Sequence, residues 1–245
     1  MAARSGGSLW LLLAVAAAVS FFFVVAQITG WATLQLRRFS IPVDGGPHLT
    51  TADEWRSELD TLSADISSFW SDQLAAEGQV FQPPVFIAPW EGPRRACGGA
   101  VATRATAYCI ATNTLELRRI SFNGTSRAGA GRGHMAVAYT VARLTARAVQ
   151  KSLGVDLTGQ IARGVIEDQA ECLAGVWLRS APARYGTVRK SDLSAILRAA
   201  RVSAPEPWIA QPEVLVEDFA PGRSGPRLVA LTRGFDAADF SECLS

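Results

Sequence analysis

Histidine is almost missing from this sequence: His48 and His134 are the two present among 245 residues. Neither has a second histidine near it, so a metal site gripped by paired imidazoles is excluded. No Gly-x-Ser-x-Gly occurs, which removes the nucleophile elbow, and no cysteine has a histidine placed to activate it. Cys-x-x-Cys pairs are absent too, and the cysteine spacing does not suit zinc. The glycine-rich run 123–133 lacks the Gly-x-Gly-x-x-Gly spacing of a dinucleotide fingerprint, and it reads as a loop before a helix. An excess of one charge sign is also lacking. A net charge of +2 leaves no electrostatic footprint for nucleic acid.

Apolar residues, by contrast, make up 49% of the chain, enough for a sizeable core in one domain of roughly 150–200 residues plus an appendage. The appendage is N-terminal. Leu9 to Ala26 is apolar apart from Ser20, and Ile28 to Leu36 extends the run past Gln27. About twenty such residues span a bilayer. Residues 9–36 are therefore expected to form a transmembrane helix or signal anchor after a short cytoplasmic stretch, 1–8. A linker follows at 37–50, marked by Pro42, Gly45, Gly46 and Pro47, in which His48 is expected to be solvated. Arg4 before the run and Arg37 and Arg38 after it leave the positive-inside rule almost silent. A cleaved signal peptide is the rival reading, since Val24-Val25-Ala26 is a passable cleavage site; the length of the run favours the anchor.

Orientation is better judged from the four cysteines, Cys97, Cys109, Cys172 and Cys243. Outside the cytoplasm this even set forms two bridges; in a cytosolic domain the four stay reduced. Three connectivities exist. The favoured one joins Cys97 to Cys109 across a short hairpin loop and Cys172 to Cys243, tying the C-terminal tail to a core helix. The expected location is the cell membrane, single-pass, with residues 51–245 forming an extracytoplasmic domain.

Thr51-Ala52-Asp53-Glu54 has the pattern of a capping box and opens a helix whose apolar stripe is Trp55, Leu59, Leu62, Ile66, Phe69 and Leu74, ending near Gly78. Val80 to Ile87 contains Pro83-Pro84 and allows an edge strand at best. Ala111-Thr112-Asn113 reads as a turn, and Thr114 to Leu117 as a strand with alternating sides. Arg189 to Ala200 is a short helix with Ser191 as N-cap and Leu193, Ile196 and Leu197 inward. The proline-rich segment 203–226 reads as an irregular arm on which Trp208 packs, and Arg227 to Phe235 as the last helix.

Two further segments carry the most information. The first is Gly133-His134-Met135-Ala136-Val137-Ala138-Tyr139-Thr140-Val141-Ala142-Arg143-Leu144-Thr145-Ala146-Arg147-Ala148-Val149-Gln150. The second is Ile166-Glu167-Asp168-Gln169-Ala170-Glu171-Cys172-Leu173-Ala174-Gly175-Val176-Trp177. Together they resemble the two core helices of the bacterial neutral zinc metallopeptidases. In that family the first helix carries H-E-x-x-H inside a run like A-Y-x-x-A-H-E-x-x-H-H-V-Q, and the second carries a glutamate ligand in E-L-Q-A-D-C-x-A-G-V-W. Trp70, Pro83-Pro84, Cys97-Gly98-Gly99 and Tyr108-Cys109 fall in the family's order as well, so the resemblance covers roughly residues 60–245. It implies an α+β, zincin-like fold with a small sheet and a helical core. It also implies that the strand at 114–117 lines a cleft that holds extended peptide.

The frame survives in Ala138, Tyr139, Ala142, Val149 and Gln150, but the metal chemistry does not. Arg143, Leu144 and Arg147 stand where histidine, glutamate and histidine belong. In the family pattern, two histidines four apart share one helical face and grip zinc while the intervening glutamate acts as general base. A guanidinium stays protonated and has no lone pair to donate, and Leu144 cannot take a proton from water. Glu167 alone still matches a ligand. Arg143 and Arg147 are expected either to pair with it, an ion pair replacing the metal as the link between helices, or to point to solvent. Glu167 with Glu171 reads as a solvated pair of carboxylates, and His134 as a surface or capping residue. No cofactor is expected, since the zinc ligands are lost.

The function that follows is that of a catalytically inactive, membrane-anchored homologue, a binding or scaffold protein at the cell envelope with a protein or peptide partner in its residual cleft. The alternatives are an active peptidase or hydrolase using unrecognised residues, and a purely structural envelope component.

Overall fold

A computed structural model describes residues 51–87, 106–117, 130–158, 163–181, 187–202, 214–216 and 224–244. All of them belong to the compact unit Val43–Ser245. The expected membrane segment 9–36, His48, Cys97 and Trp208 lie outside the described residues, among which no helix is long and apolar enough to cross a membrane.

Helix α1 (Ala52–Ala76) begins as expected. The Glu54 amide donates to Thr51 Oγ1 at 3.2 Å, and the Thr51 amide donates to Glu54 Oε2 at 2.9 Å, so two of the helix's orphan donors are satisfied reciprocally. Its buried stripe is Leu59, Leu62, Ile66, Trp70 and Leu74. Trp70 was missing from the stripe read off the sequence, yet it is the largest residue in it, packed edge-on against Phe69 and Phe240.

A four-stranded sheet runs in the order β1 (Val85–Ile87), β3 (Thr114–Glu116), β2 (Ala107–Cys109), β4 (Val214–Val216). β1 pairs parallel to β3 and sits at the edge, where the preceding proline pair costs no ladder hydrogen bond. β2 pairs antiparallel to both β3 and β4. Between β2 and β3 the chain turns at Asn113, whose φ of 50° lies in the left-handed region that asparagine tolerates. Its side chain accepts from the Tyr108 hydroxyl at 2.7 Å and donates to the Gln82 and Pro83 carbonyls at 3.1 and 3.2 Å, pinning the approach to β1. Two expectations need correction here. β3 is buried on both sides, Thr114 and Glu116 included, so its alternation does not separate core from solvent. The arm 203–226 also contributes a strand, β4, which ladders onto β2.

Helix α2 (Ala130–Ser152) starts three residues before the Gly133 read from sequence. It is the central element, flanked by α1, by α3 (Arg163–Ser180), by α4 (Leu193–Val202) and by β2. From His134 to Gln150 every side chain but Thr140 is buried. The Lys151 ammonium reaches the Ile110 carbonyl at 2.7 Å, fixing the helix C-terminus against the β2–β3 turn. Helix α4 buries Leu193, Ile196 and Leu197 as expected, but its cap differs. A 3-10 turn, Lys190–Asp192, precedes it, and the Arg189 amide donates to Asp192 Oδ2 at 2.9 Å, so Ser191 is not the N-cap.

The last helix, α5 (Ser224–Asp236), packs closely on α3. Glycines permit this approach. A Cβ on Gly175 would lie 2.2 Å from the Leu231 carbonyl oxygen, and one on Gly234 only 1.7 Å from that of Cys172. After α5, a 3-10 turn (Phe240–Cys243) carries Cys243 to Cys172 on α3, and the two form the expected disulfide. Cys109 is also disulfide-bonded. The domain is thus α+β, mostly helical with a small sheet, which fits a zincin-like architecture.

Candidate functional site

Arg143 and Arg147 are four apart on α2, so their side chains leave the same face, and that face meets α3. Both are buried, at 0% and 1% exposure. A lone guanidinium so placed is costly, and it persists where carboxylates compensate it. Glu167 on α3 supplies one, with each of its oxygens taken by a different arginine. Arg147 Nη2 lies 2.7 Å from Oε1, and Arg143 Nη2 donates to Oε2. The expected ion pair between the helices is therefore present, and the solvent-facing alternative for the two arginines is excluded.

The cluster extends past the residues singled out from sequence. Glu171, one turn along α3 and fully buried, accepts from Arg143 Nε at 2.7 Å and from the Tyr139 hydroxyl at 2.5 Å. Its reading as half of a solvated carboxylate pair is thus overturned, because the α3 face that carries Glu167 and Glu171 is covered by α2 and α5. Arg227 on α5 stands over both acids, with Nη2 3.8 Å from Glu167 Oε2 and Nε 3.5 Å from Glu171 Oε1. Arg147 is steadied separately. Its Nη1 donates to the Ile166 carbonyl at 2.8 Å and to Gln150 Oε1 at 3.2 Å, while Gln150 Nε2 donates to Ile166 O and Gln169 Oε1 at 3.0 and 3.1 Å.

Electrostatics follow from this packing. Burial works against the charge on Arg143, but Glu171 and Glu167 outweigh it and the net shift is upward. Burial dominates at Arg147 and pulls it down to about 10, with Glu167 opposing, so it remains a cation at neutral pH. Arg227 is lowered by burial and by repulsion from Arg143, while Tyr139 is pushed well up by burial and by the Glu171 charge and stays a neutral donor.

Leu144 makes no part of the ion-pair cluster described here and belongs to the hydrophobic core. His134 needs correction: it is 4% exposed, not a surface cap, and its Nε2 lies 3.1 Å from Glu58 Oε1 on α1. Among the described residues no group of three or more histidine, cysteine, aspartate or glutamate side chains could hold a metal ion.

The sequence profile of the neutral zinc metallopeptidases matches residues 2–245. The YpfJ proteins of Escherichia coli K12 and of Escherichia coli O6:H1 are each 25% identical over 205 residues, 78% of this chain and 71% of theirs. No solved structure matches. The residues at the helix pair do not fit the zinc that the family's description implies. Two of them are guanidiniums with no lone pair, one is an alkyl side chain, and the remaining carboxylate is already engaged by arginine on both oxygens. On the extent of the profile match, the chain belongs to the neutral zinc metallopeptidase family.

Proposed function

We propose that this protein is a catalytically silent member of its family, anchored in the membrane through residues 9–36, whose domain acts as a binding or scaffold module at the cell envelope. One observation carries the reading: buried guanidiniums and their carboxylates fill the helix junction where a peptidase of this family would need a metal and an activated water. Neither arginine can ligate, and Leu144 can serve as no general base. The Cys172–Cys243 bridge and the bonded state of Cys109 support an oxidising compartment, and the apolar run before the domain supports an anchor. Extended peptide or a protein segment beside the sheet is the class of partner that suits such a fold.

The test uses the full-length chain purified in detergent. We expect substoichiometric zinc by elemental analysis and no cleavage of a mixed peptide library. One bound zinc per chain, together with peptide cleavage abolished by a chelator, would overturn the reading. Crosslinking in intact cells is expected to trap a discrete protein species on the domain.

A further inference from the structure

We infer that the Arg143–Glu167–Arg147 junction is a tethered substitute for a metal ion: two cations attached to α2 pin Glu167 of α3 and make the helix pairing independent of any metal. The inference rests on the reading above of positions 143, 147 and 167 as former ligand positions, and it concerns what holds the fold, not whether the chain cleaves peptides.

The geometry is that of convergence. Three side chains from two helices meet at one buried point, with one guanidinium on each oxygen of Glu167. A divalent ion at this junction would bring two positive charges, and Arg143 with Arg147 brings the same number, covalently attached. Each arginine also has a second anchor. Glu171 holds Arg143 through Nε, while the Ile166 carbonyl and Gln150 hold Arg147 through Nη1. Such outer contacts aim a side chain before it meets its partner, which is the part second-layer groups play around a metal ligand. Loss of Arg147 would take the guanidinium off Glu167 Oε1, even though Arg143 and Arg227 would still balance the charges of Glu167 and Glu171.

The experiment measures melting temperature and metal uptake on the full-length chain. Wild type is expected to melt at the same temperature with a chelator, with added zinc, or with neither. Arg147→Met and Glu167→Gln alone should each lower the melting temperature by about 10 °C, and the double variant by clearly less than the sum of the two. Arg143→His with Arg147→His should place two imidazoles four apart facing Glu167; its melting temperature should fall without metal and recover with one equivalent of zinc. Three results would each overturn the inference: wild type destabilised by the chelator, additive effects of Arg147→Met and Glu167→Gln, or a folded double-histidine variant that takes up no zinc. Should the double-histidine variant not fold, the coupling between Arg147 and Glu167 still decides. Peptide cleavage by wild type would sink the silent-enzyme reading and leave this coupling untouched; additive variants would do the reverse.

Discussion

Tyr139 donates to Glu171 at 2.5 Å from a fully buried position, and Glu171 carries a negative charge that burial makes costly. A hydrogen bond to a buried charged acceptor is worth about 2 kcal/mol. Tyr139→Phe, which keeps the ring and its packing, should therefore lower unfolding free energy by about 2 kcal/mol, read from the midpoint of a urea titration. An unchanged midpoint would mean that Arg143 and Arg227 satisfy the carboxylate without the hydroxyl. At this scale the sequence was half legible. Arg143, Arg147 and Glu167 stood out because they fall where the resembled family carries its metal ligands. Glu171 was visible only as an acid one turn from Glu167, and spacing says nothing of burial. Arg227 could not be found that way. It enters from a helix far along the chain, and no periodicity links it to α3.

Elements meet in this fold through a few polar contacts set in apolar seams, and the α1–α2 seam contains a titratable one. His134 on α2 faces Glu58 on α1, 3.1 Å away. Burial lowers its pKa below the ordinary 6.5, and the charge and hydrogen bond of Glu58 restore part of the loss. In the unfolded chain the imidazole titrates near its ordinary value, about 6.5. The folded state thus binds the proton less readily than the unfolded one, so this contribution is complete above that pH and is lost as pH falls towards the folded value. Wild type should lose more melting temperature between about pH 7.5 and 5.5 than His134→Gln, which keeps a donor but does not titrate. Equal losses would show that His134 is not the group responsible. The helices themselves were readable, because the stripe of α1 and its capping box are local patterns. What was not readable was α2 as a helix enclosed on all sides: its threonines, arginines and glutamine look like a solvent face until α1, α3, α4 and β2 are placed around it. Strand β4 was hidden for a similar reason. Its three residues sit in a proline-rich arm, and only the ladder with β2 makes them a strand.

For the molecule as a whole, the C-terminal part is joined to α3 at successive levels: Arg227 over the acids, Gly175 and Gly234 at the backbone crossing, and the Cys172–Cys243 bridge beyond. The bridge was legible from an even cysteine count and a late cysteine; the glycine crossing was not, since nothing local distinguishes a glycine that admits a backbone from one in a turn. The disulfide spans 71 residues, and closing a loop of that length removes about 4 kcal/mol of chain entropy from the unfolded state. Against a net stability of about 5–15 kcal/mol, that is a large share. Cys172→Ala with Cys243→Ala should therefore lower unfolding free energy by about 4 kcal/mol in guanidinium titrations of the full-length chain. Wild type prepared under reducing conditions should lose at least as much as the double variant, because reduction also opens the Cys109 bond, which ties the stability of the domain to an oxidising compartment and hence to the envelope location proposed for it. A loss below about 1 kcal/mol would instead mean that the glycine-mediated packing of α5 on α3 holds the C-terminus by itself, and the bridge would then be no argument for location.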